Sequence, residues 1–161
     1  MFYRIKQFLW AATAKLKDED KKFATEYLND YEESLFFSLP VFEQVHSVKV
    51  AQGVLEECLK RDAYDVLLIK AALLHDIGKI NTSLNIFTIS ILVIMDRIFP
   101  KGMKKLIFIK SINAYYNHPE IALKYLENTD EYIAFLIRNH HNYEIVWDEK
   151  LRILQKIDSK S

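Results

Sequence analysis

Apolar residues recur along the chain at intervals of three and four residues, the spacing that places side chains on one face of an α-helix. The first 17 residues combine this pattern with scattered basic residues and predict an amphipathic first helix. Asp18 is placed to cap a second helix, and a third helix is predicted to begin after Pro40. The hydrophobic pattern therefore predicts a chain built from consecutive helices.

Two features of the middle of the chain set further boundaries. Asp62 is predicted to cap the helix that contains VLLIKAALLHD, and Gly78 is predicted to end it. The most apolar segment, LNIFTISILVIMDRIF, meets Asp96 and Arg97 before it reaches the roughly 18 apolar residues of a membrane span. A buried helix is therefore predicted there, with no membrane partner.

Prolines divide the last third of the chain. Pro100, together with Gly102, is predicted to separate the apolar segment from the helix that follows it. Pro119 directly follows His118 and is predicted to be the first residue of a new helix, where its missing N–H costs nothing. The last two helices are predicted to be capped by Thr129 and Asp148.

The amino-acid composition narrows the fold class and the kinds of binding partner that are expected. With 161 residues, one compact domain is expected, and only three glycines and three prolines leave few turns, which favours an all-α fold. The 22 basic and 22 acidic residues cancel, so nucleic acid is not expected as a partner. The single cysteine, Cys58, cannot form an internal disulfide and is predicted to be a buried thiol, which fits a reducing cytoplasm.

Candidate chemistry lies on the apolar faces of the predicted helices. Asp158 follows Leu154 by four residues and Leu151 by seven, so its carboxylate shares their inward face. His46 and His75 have similar positions on their own helices. Burying such groups without partners is costly, and a metal ion is the partner that would satisfy all of them together.

A single histidine on an apolar face is more often a hydrogen-bonded core residue than a ligand. Here, however, every histidine in the chain falls at a helix end or at an inward position, and two aspartates accompany them. Coincidence explains the whole group less well than a metal site does. The group consists of His46, His75, Asp76, His118, His140, His141 and Asp158.

The ordered series formed by His46, HDIGK, HPEIALKYL, IRNHHN and Asp158 resembles the HD-domain superfamily of metal-dependent phosphohydrolases, of the HDIG type. The resemblance covers about Val41 to Asp158. It implies a single all-helical HD-domain bundle at residues 41–161, with residues 1–40 as an N-terminal helical extension packed on it. That extension could also shape substrate access or a homodimer.

The resemblance also implies a set of metal ligands. In such proteins a first ion is held at positions that match His46, His75, Asp76 and Asp158. Relatives with the intermediate histidines hold two ions bridged by the doublet aspartate, and here those histidines are His118 and His140. His141 matches a ligand in only some relatives, so metal ligand, phosphate contact and solvent-facing residue all remain open for it. Imidazole and carboxylate ligands without thiolate favour iron, manganese, cobalt, nickel or zinc.

The expected activity is hydrolysis of a phosphate ester or anhydride by metal-activated water, with Asp76 and Lys79 as catalytic residues. Lys79 follows the doublet closely and would hold a phosphate oxygen, the alternative being a solvated surface lysine. HHNYEIVWD lacks the glycine-tyrosine-proline motif of relatives that cleave cyclic di-GMP, which leaves nucleoside mono- or polyphosphates as the expected substrates. The competing hypothesis is a non-catalytic HD signalling module that binds metal or nucleotide.

Overall fold

The structure is a computed structural model that describes residues 14–80, 92, 95–96, 98–107 and 109–161. Over these residues the chain forms helices and no strand, which confirms the predicted all-α class. A short 3-10 turn, Ile77–Lys79, follows the fourth helix. The α-helices are α1 (Asp18–Tyr27), α2 (Asp30–Phe37), α3 (Val41–Lys60), α4 (Val66–Leu74), α5 (Pro100–Lys105), α6 (Lys110–Tyr125), α7 (Glu131–Asn139) and α8 (Glu149–Asp158).

Helix α4 lies at the centre of the main hydrophobic core. Its residues from Leu68 to Leu74 are fully buried except for Lys70, so this helix is apolar on nearly all sides. It packs against α3, α7 and α8, whose apolar faces complete the core. The last turn of α4 is consequently held rigidly in the interior, and His75 follows directly from it.

The two helices before Pro40 pack on the same core. Ala24, Leu28 and Phe36 are buried there, next to residues of α3 and α4. A buried ion pair adds to this contact, because Lys70 Nζ of α4 donates to Glu32 Oε2 of α2 over 2.7 Å. The contacts attach α1 and α2 firmly to the rest of the bundle.

Several predicted helix starts are wrong by a few residues, because a nearby polar residue makes the capping bond instead. The backbone at Asp62 is left-handed, with φ 52°, and α4 is capped by Asp65, whose side chain accepts from the Leu68 amide. In α7 the cap is Asp130 instead of Thr129, since its carboxylate accepts from the amides of the first turn. Asp148 caps α8 as predicted.

The predicted second helix is divided in two. Asn29 interrupts it and caps α2 by accepting from the Glu32 amide, while the Glu32 carboxylate accepts from the Asn29 amide. At the start of α1, Lys17 is the capping position in place of Asp18, and its amide donates to Asp20 over 3.1 Å. The apolar pattern thus predicted helices here correctly. The residues at which these helices begin are set by the capping hydrogen bonds.

Pro100 is the first residue of α5, where a proline needs no N–H partner, and Gly102 lies within that helix. They were predicted to separate two helices, and instead they form a helix of their own. The amphipathic first helix and the apolar helix predicted at residues 84–99 fall largely outside the described residues. Among the helices that the structure describes, none is both long and apolar enough to cross a membrane.

Candidate metal centre

The centre is built around His75, the residue that directly follows the last residue of α4. The last carbonyls of an α-helix have no partner within the helix. His75 Nδ1 donates to one of them, the carbonyl oxygen of Ala72, over 2.8 Å. A carbonyl can only accept, so Nδ1 carries the hydrogen, and Nε2 of the neutral ring would present a lone pair to the interior.

Gly78 allows a second helix to approach this turn. A β-carbon on Gly78 would lie 1.9 Å from the carbonyl oxygen of His118, which no structure tolerates. The sequence predicted that Gly78 ends the helix, but α4 already ends at Leu74 and Gly78 has no positive φ. Its function in the fold is to let α6 pack directly on the turn, which brings His118 next to Asp76.

His118 lies in the middle of α6, immediately before Pro119. The sequence predicted a new helix beginning at Pro119, whereas α6 continues through it. Proline has no N–H for the carbonyl four residues earlier, which belongs to Tyr115. His118 Nδ1 donates to that carbonyl over 3.2 Å, so the histidine both satisfies the helix and turns its own Nε2 inward.

His140 repeats the arrangement at the end of α7. Its Nδ1 donates to the carbonyl oxygen of Ile137 over 2.6 Å, another carbonyl of a last helical turn. His75, His118 and His140 thus each bond a carbonyl three residues earlier, which turns Nε2 toward the other side chains of the centre. Second-sphere bonds of this kind are what orient histidines that bind metals.

The first group of potential ligands joins α3, α4 and α8. His46 Nε2 lies 3.0 Å from Asp158 Oδ1, which confirms the predicted convergence of these two residues. His75 Nε2 lies 3.3 Å from Asp76 Oδ2 and 3.7 Å from Asp158 Oδ1. Close approach of α3 and α8 depends on Gly53, where a β-carbon would contact Ile157 Cγ2 at 2.7 Å.

The second group joins α6 with the end of α7. His118 Nε2 lies 3.2 Å from His140 Nε2 and 3.2 Å from His141 Nε2. Burial lowers the pKa of His118 to about 3 and lowers that of His140 well below its ordinary value, so both rings are neutral. Since both Nδ1 atoms hold the hydrogens, the two Nε2 lone pairs face each other, an arrangement that a cation bound between them would stabilise.

Asp76 lies between the two groups. Its Oδ1 is 3.3 Å from His118 Nε2, whereas its Oδ2 is 3.3 Å from His75 Nε2 and 3.8 Å from His46 Nε2. One carboxylate therefore presents one oxygen to each group. This is the position from which a carboxylate can bridge two ions.

These side chains fit divalent cations. His75 Nε2 is buried and has no hydrogen-bond partner, a costly state that a bound ion would relieve. The donors are imidazole nitrogens and carboxylate oxygens, the set preferred by first-row divalent ions. Within the described residues, three groups have ligand atoms within 4.8 Å of one another: His118 with His140 and His141, His46 with His75 and Asp76, and His75 with His140 and Asp158.

The profile of the HD-domain family matches residues 44–161, which is most of the chain and includes all seven of these residues. The chain belongs to the HD-domain family. HD domains form a superfamily of metal-dependent phosphohydrolases and bind divalent metals, in agreement with the donor set. Neither the curated proteins nor the solved structures contain a significant match to the chain.

The carboxylates of Asp76 and Asp158 in this HD domain are anionic. Burial alone would raise the pKa of Asp76, but His75 and Lys79 outweigh it and hold the pKa well below the ordinary value. For Asp158, burial is likewise outweighed by the hydrogen bond from His46 and by the charge of the nearby His75, which lower its pKa. Burial opposes the charged form of His75, yet the same two aspartates raise its pKa well above normal. Asp76 and Asp158 thus keep their negative charges inside the bundle, where they can attract a cation.

Lys79 lies beside the HD doublet, as the sequence suggested, but it has carboxylate partners. Its Nζ donates to Asp76 Oδ2 over 2.7 Å and to Glu43 over 3.2 Å. Burial lowers the pKa of Lys79, and the charges of Asp76 and Glu43 more than compensate, so the ammonium is retained. The alternative of a fully solvated surface lysine is therefore wrong.

Glu43 was missed by the sequence reasoning. It precedes His46 by three residues on α3 and therefore faces the same side of the helix, which is the signal that would have found it. Its carboxylate is buried, and burial raises its pKa above the ordinary value, although the charge of Lys79 acts in the opposite direction. The family match begins one residue after Glu43.

The aromatic residues Tyr143 and Trp147, which follow His141 in the chain, are exposed. Trp147 is 75% exposed and packs against Phe135, with ring centroids 5.6 Å apart, and Tyr143 is 58% exposed. Neither was assigned a substrate role from the sequence, and the ring contact with Phe135 accounts for the packing of Trp147. His141 is also exposed as a residue, although its Nε2 reaches His118.

Proposed function

We propose that this HD domain hydrolyses a phosphate ester or anhydride of a nucleotide with the help of two divalent metal ions. The observation that carries the proposal is the position of Asp76, whose two oxygens face two separate groups of histidines. A carboxylate between two such groups is what a two-ion phosphohydrolase requires. The family membership gives independent support for this class of chemistry.

The ligand sets follow from the two groups. The first ion would be held by His46, His75, Asp76 and Asp158, and the second by Asp76, His118, His140 and His141. Iron, manganese, cobalt, nickel and zinc suit these donors. When bound, the two ions supply Lewis acidity toward phosphoryl oxygens and a water that is acidic near neutral pH.

The protein's own contribution is orientation and charge. Backbone carbonyls hold the rings of His75, His118 and His140, so little reorganisation accompanies metal binding. Asp76 is held in turn by Lys79. The Lys79 ammonium is placed to stabilise the negative charge that grows on a phosphoryl oxygen in the transition state.

A nucleotide is the proposed substrate class for three reasons. The balanced charge of the chain argues against a nucleic-acid substrate. The absence of the glycine-tyrosine-proline motif after His141 argues against cyclic di-GMP. Exposed aromatic side chains, such as that of Tyr143, offer surfaces on which a base could stack.

The test is hydrolysis by protein that has been stripped with chelator and reloaded with manganese or iron. We expect phosphate release from p-nitrophenyl phosphate and from members of a panel of nucleoside mono- and polyphosphates. Chelator should abolish the activity and metal should restore it, whereas Asp76→Ala should lack both activity and metal. A protein that binds two ions and hydrolyses no member of the panel would be a non-catalytic module instead.

A further inference from the structure

Glu43 is a buried carboxylate that the proposed ligand sets do not use. Glutamate is rarely buried to this degree unless a cation accompanies it, because removing the charge from water is costly. The cation here is Lys79, whose Nζ lies 3.2 Å from the carboxylate. Glu43 belongs to α3 and Lys79 to the turn after α4, so the pair connects two elements that both carry proposed ligands.

Lys79 also contacts Asp76, and the two contacts restrain it differently. A lysine side chain has a flexible four-carbon stem, so one contact leaves its ammonium free to pivot. Contacts of 2.7 Å to Asp76 and 3.2 Å to Glu43 come from different elements and restrict the direction as well as the distance. The Lys79 side chain is also mostly buried, with 19% of its surface exposed.

Metal binding changes the balance between these two contacts. Two divalent ions at Asp76 would share its negative charge and repel the nearby ammonium. The attraction between Lys79 and Asp76 is then weakened. Glu43 is not among the proposed ligands, so its charge remains available to hold Lys79.

We propose that Glu43 is a positioning residue that retains the Lys79 ammonium beside the metal pair and directs it toward the substrate phosphate. This role rests on the proposed hydrolytic function. It differs from a purely structural ion pair, because its effect on catalysis is exerted through Lys79 and disappears when Lys79 is absent.

A double-mutant cycle tests this dependence. Glu43→Gln keeps the shape of the side chain and removes its charge, and Glu56→Gln on the exposed face of the same helix is the matched control. We expect Glu43→Gln to keep its metal content and to lose about 10-fold to 100-fold in kcat, the scale of one charge-assisted hydrogen bond. In the Lys79→Ala background, Glu43→Gln should have no further effect. An undiminished loss in that background would overturn the proposal.

A second readout does not depend on activity. The Lys79 Nζ resonance in a ¹H–¹⁵N spectrum of the lysine ammonium groups is identified by its absence in Lys79→Ala. In protein loaded with zinc, which is diamagnetic, Glu43→Gln should shift or broaden this resonance, and Glu56→Gln should leave it unchanged. Glu43→Asp, which retains the charge on a shorter stem, should restore part of both the resonance and kcat.

The two readouts separate this inference from the proposed function. If the wild-type protein hydrolyses no substrate but Glu43→Gln perturbs the Lys79 resonance, the hydrolytic function fails while the positioning contact stands. If Glu43→Gln leaves both the resonance and kcat unchanged in an active enzyme, Glu43 does not position Lys79. Should Glu43→Gln fold poorly, Glu43→Ala, which also removes the charge, carries the same comparison.

Discussion

Asp76 Oδ1 lies 3.3 Å from His118 Nε2, although the two residues belong to different helical elements separated by more than 30 positions in the chain. The other oxygen of Asp76 faces His75 at 3.3 Å. A single side chain thus links two groups of potential ligands. Removing Asp76 should therefore affect both groups, whereas removing a residue of one group should affect only that group.

Metal stoichiometry provides the first test of this arrangement. Under saturating manganese, we expect two ions per chain in the wild type, one in Asp158→Ala, one in His118→Ala and none in Asp76→Ala. The reason is that, in the proposed ligand sets, Asp158 belongs only to the first ion and His118 only to the second. Elemental analysis of the desalted proteins measures the ratio. Two ions in both single-group variants would contradict the assignment.

Lys79→Ala should retain the metal content of the wild type, because a protonated amine has no lone pair to bind an ion. If its ammonium stabilises charge in the transition state, turnover of a phosphate ester should fall by roughly 10²–10³. Steady-state kinetics and metal analysis on the same preparation measure both quantities. Lys22→Ala, which changes an exposed lysine of α1, is the control and should keep full activity. Full activity in Lys79→Ala would remove the lysine from the mechanism.

Gly78→Ala should destabilise the protein, since the new β-carbon would meet the backbone of His118 at 1.9 Å and α6 would have to move away. We expect a loss of about 1–3 kcal/mol in the free energy of unfolding, the usual cost of overpacking. Binding of the second ion should weaken as well, because His118 moves with α6.

Gly102→Ala is the matched control for this substitution. Its β-carbon would have 3.8 Å to the nearest atom, within a helix where alanine is preferred. Denaturant unfolding of the chelated proteins measures the stabilities, and calorimetry with manganese measures the affinity. Equal stability of Gly78→Ala and Gly102→Ala would show that α6 does not pack on the turn as described.

The lowered pKa of Asp65 should make the stability of the protein depend on pH. Burial raises the pKa of its carboxyl, but hydrogen bonds from Lys150 and from the Leu68 amide outweigh burial and lower the pKa below its ordinary value. A group whose pKa is lowered by folding stabilises the protein above its unfolded pKa, about 3.9 for aspartate. That stabilisation is lost as the pH falls through the folded pKa.

Asp65→Ala should therefore cost about 1 kcal/mol at pH 7, the usual value of a helix cap, and progressively less below about pH 4. Asp65→Asn retains a capping oxygen without the charge and isolates the contribution of Lys150. Urea unfolding of the chelated proteins between pH 3 and pH 7 gives the differences. A difference between wild type and Asp65→Ala that is independent of pH would mean that the charge contributes nothing.

The sequence by itself determined the helical class and singled out the histidines and aspartates of the centre, although not Glu43. Periodic apolar positions specify which face of each helix is buried, and this requires no knowledge of the partner helix. A polar residue such as Asp158 on an apolar face is visible in the same way, because its burial needs compensation wherever the helix packs. His46 and Asp158 could therefore be paired in advance, and the structure places them 3.0 Å apart.

Helix boundaries were less predictable because neighbouring polar residues compete for the same role. Asp62 and Asp65 both have a suitable side chain, and the backbone path before α4 decides that Asp65 accepts the bond. Pro119 stays inside α6 because His118 bonds the carbonyl that the proline leaves free. Such compensation depends on the orientation of one ring, which sequence spacing does not contain.

Only the tertiary structure decided which residues of different helices and turns come into contact. Gly78 has its role because α6 crosses the turn at contact distance, and a glycine read alone in a sequence more commonly suggests the end of a helix. Glu43 and Lys79 are 36 residues apart, and nothing in their local patterns pairs them. Their contact arises because α3 and α4 pack against each other. Packing between two helices depends on the shapes of both contacting faces.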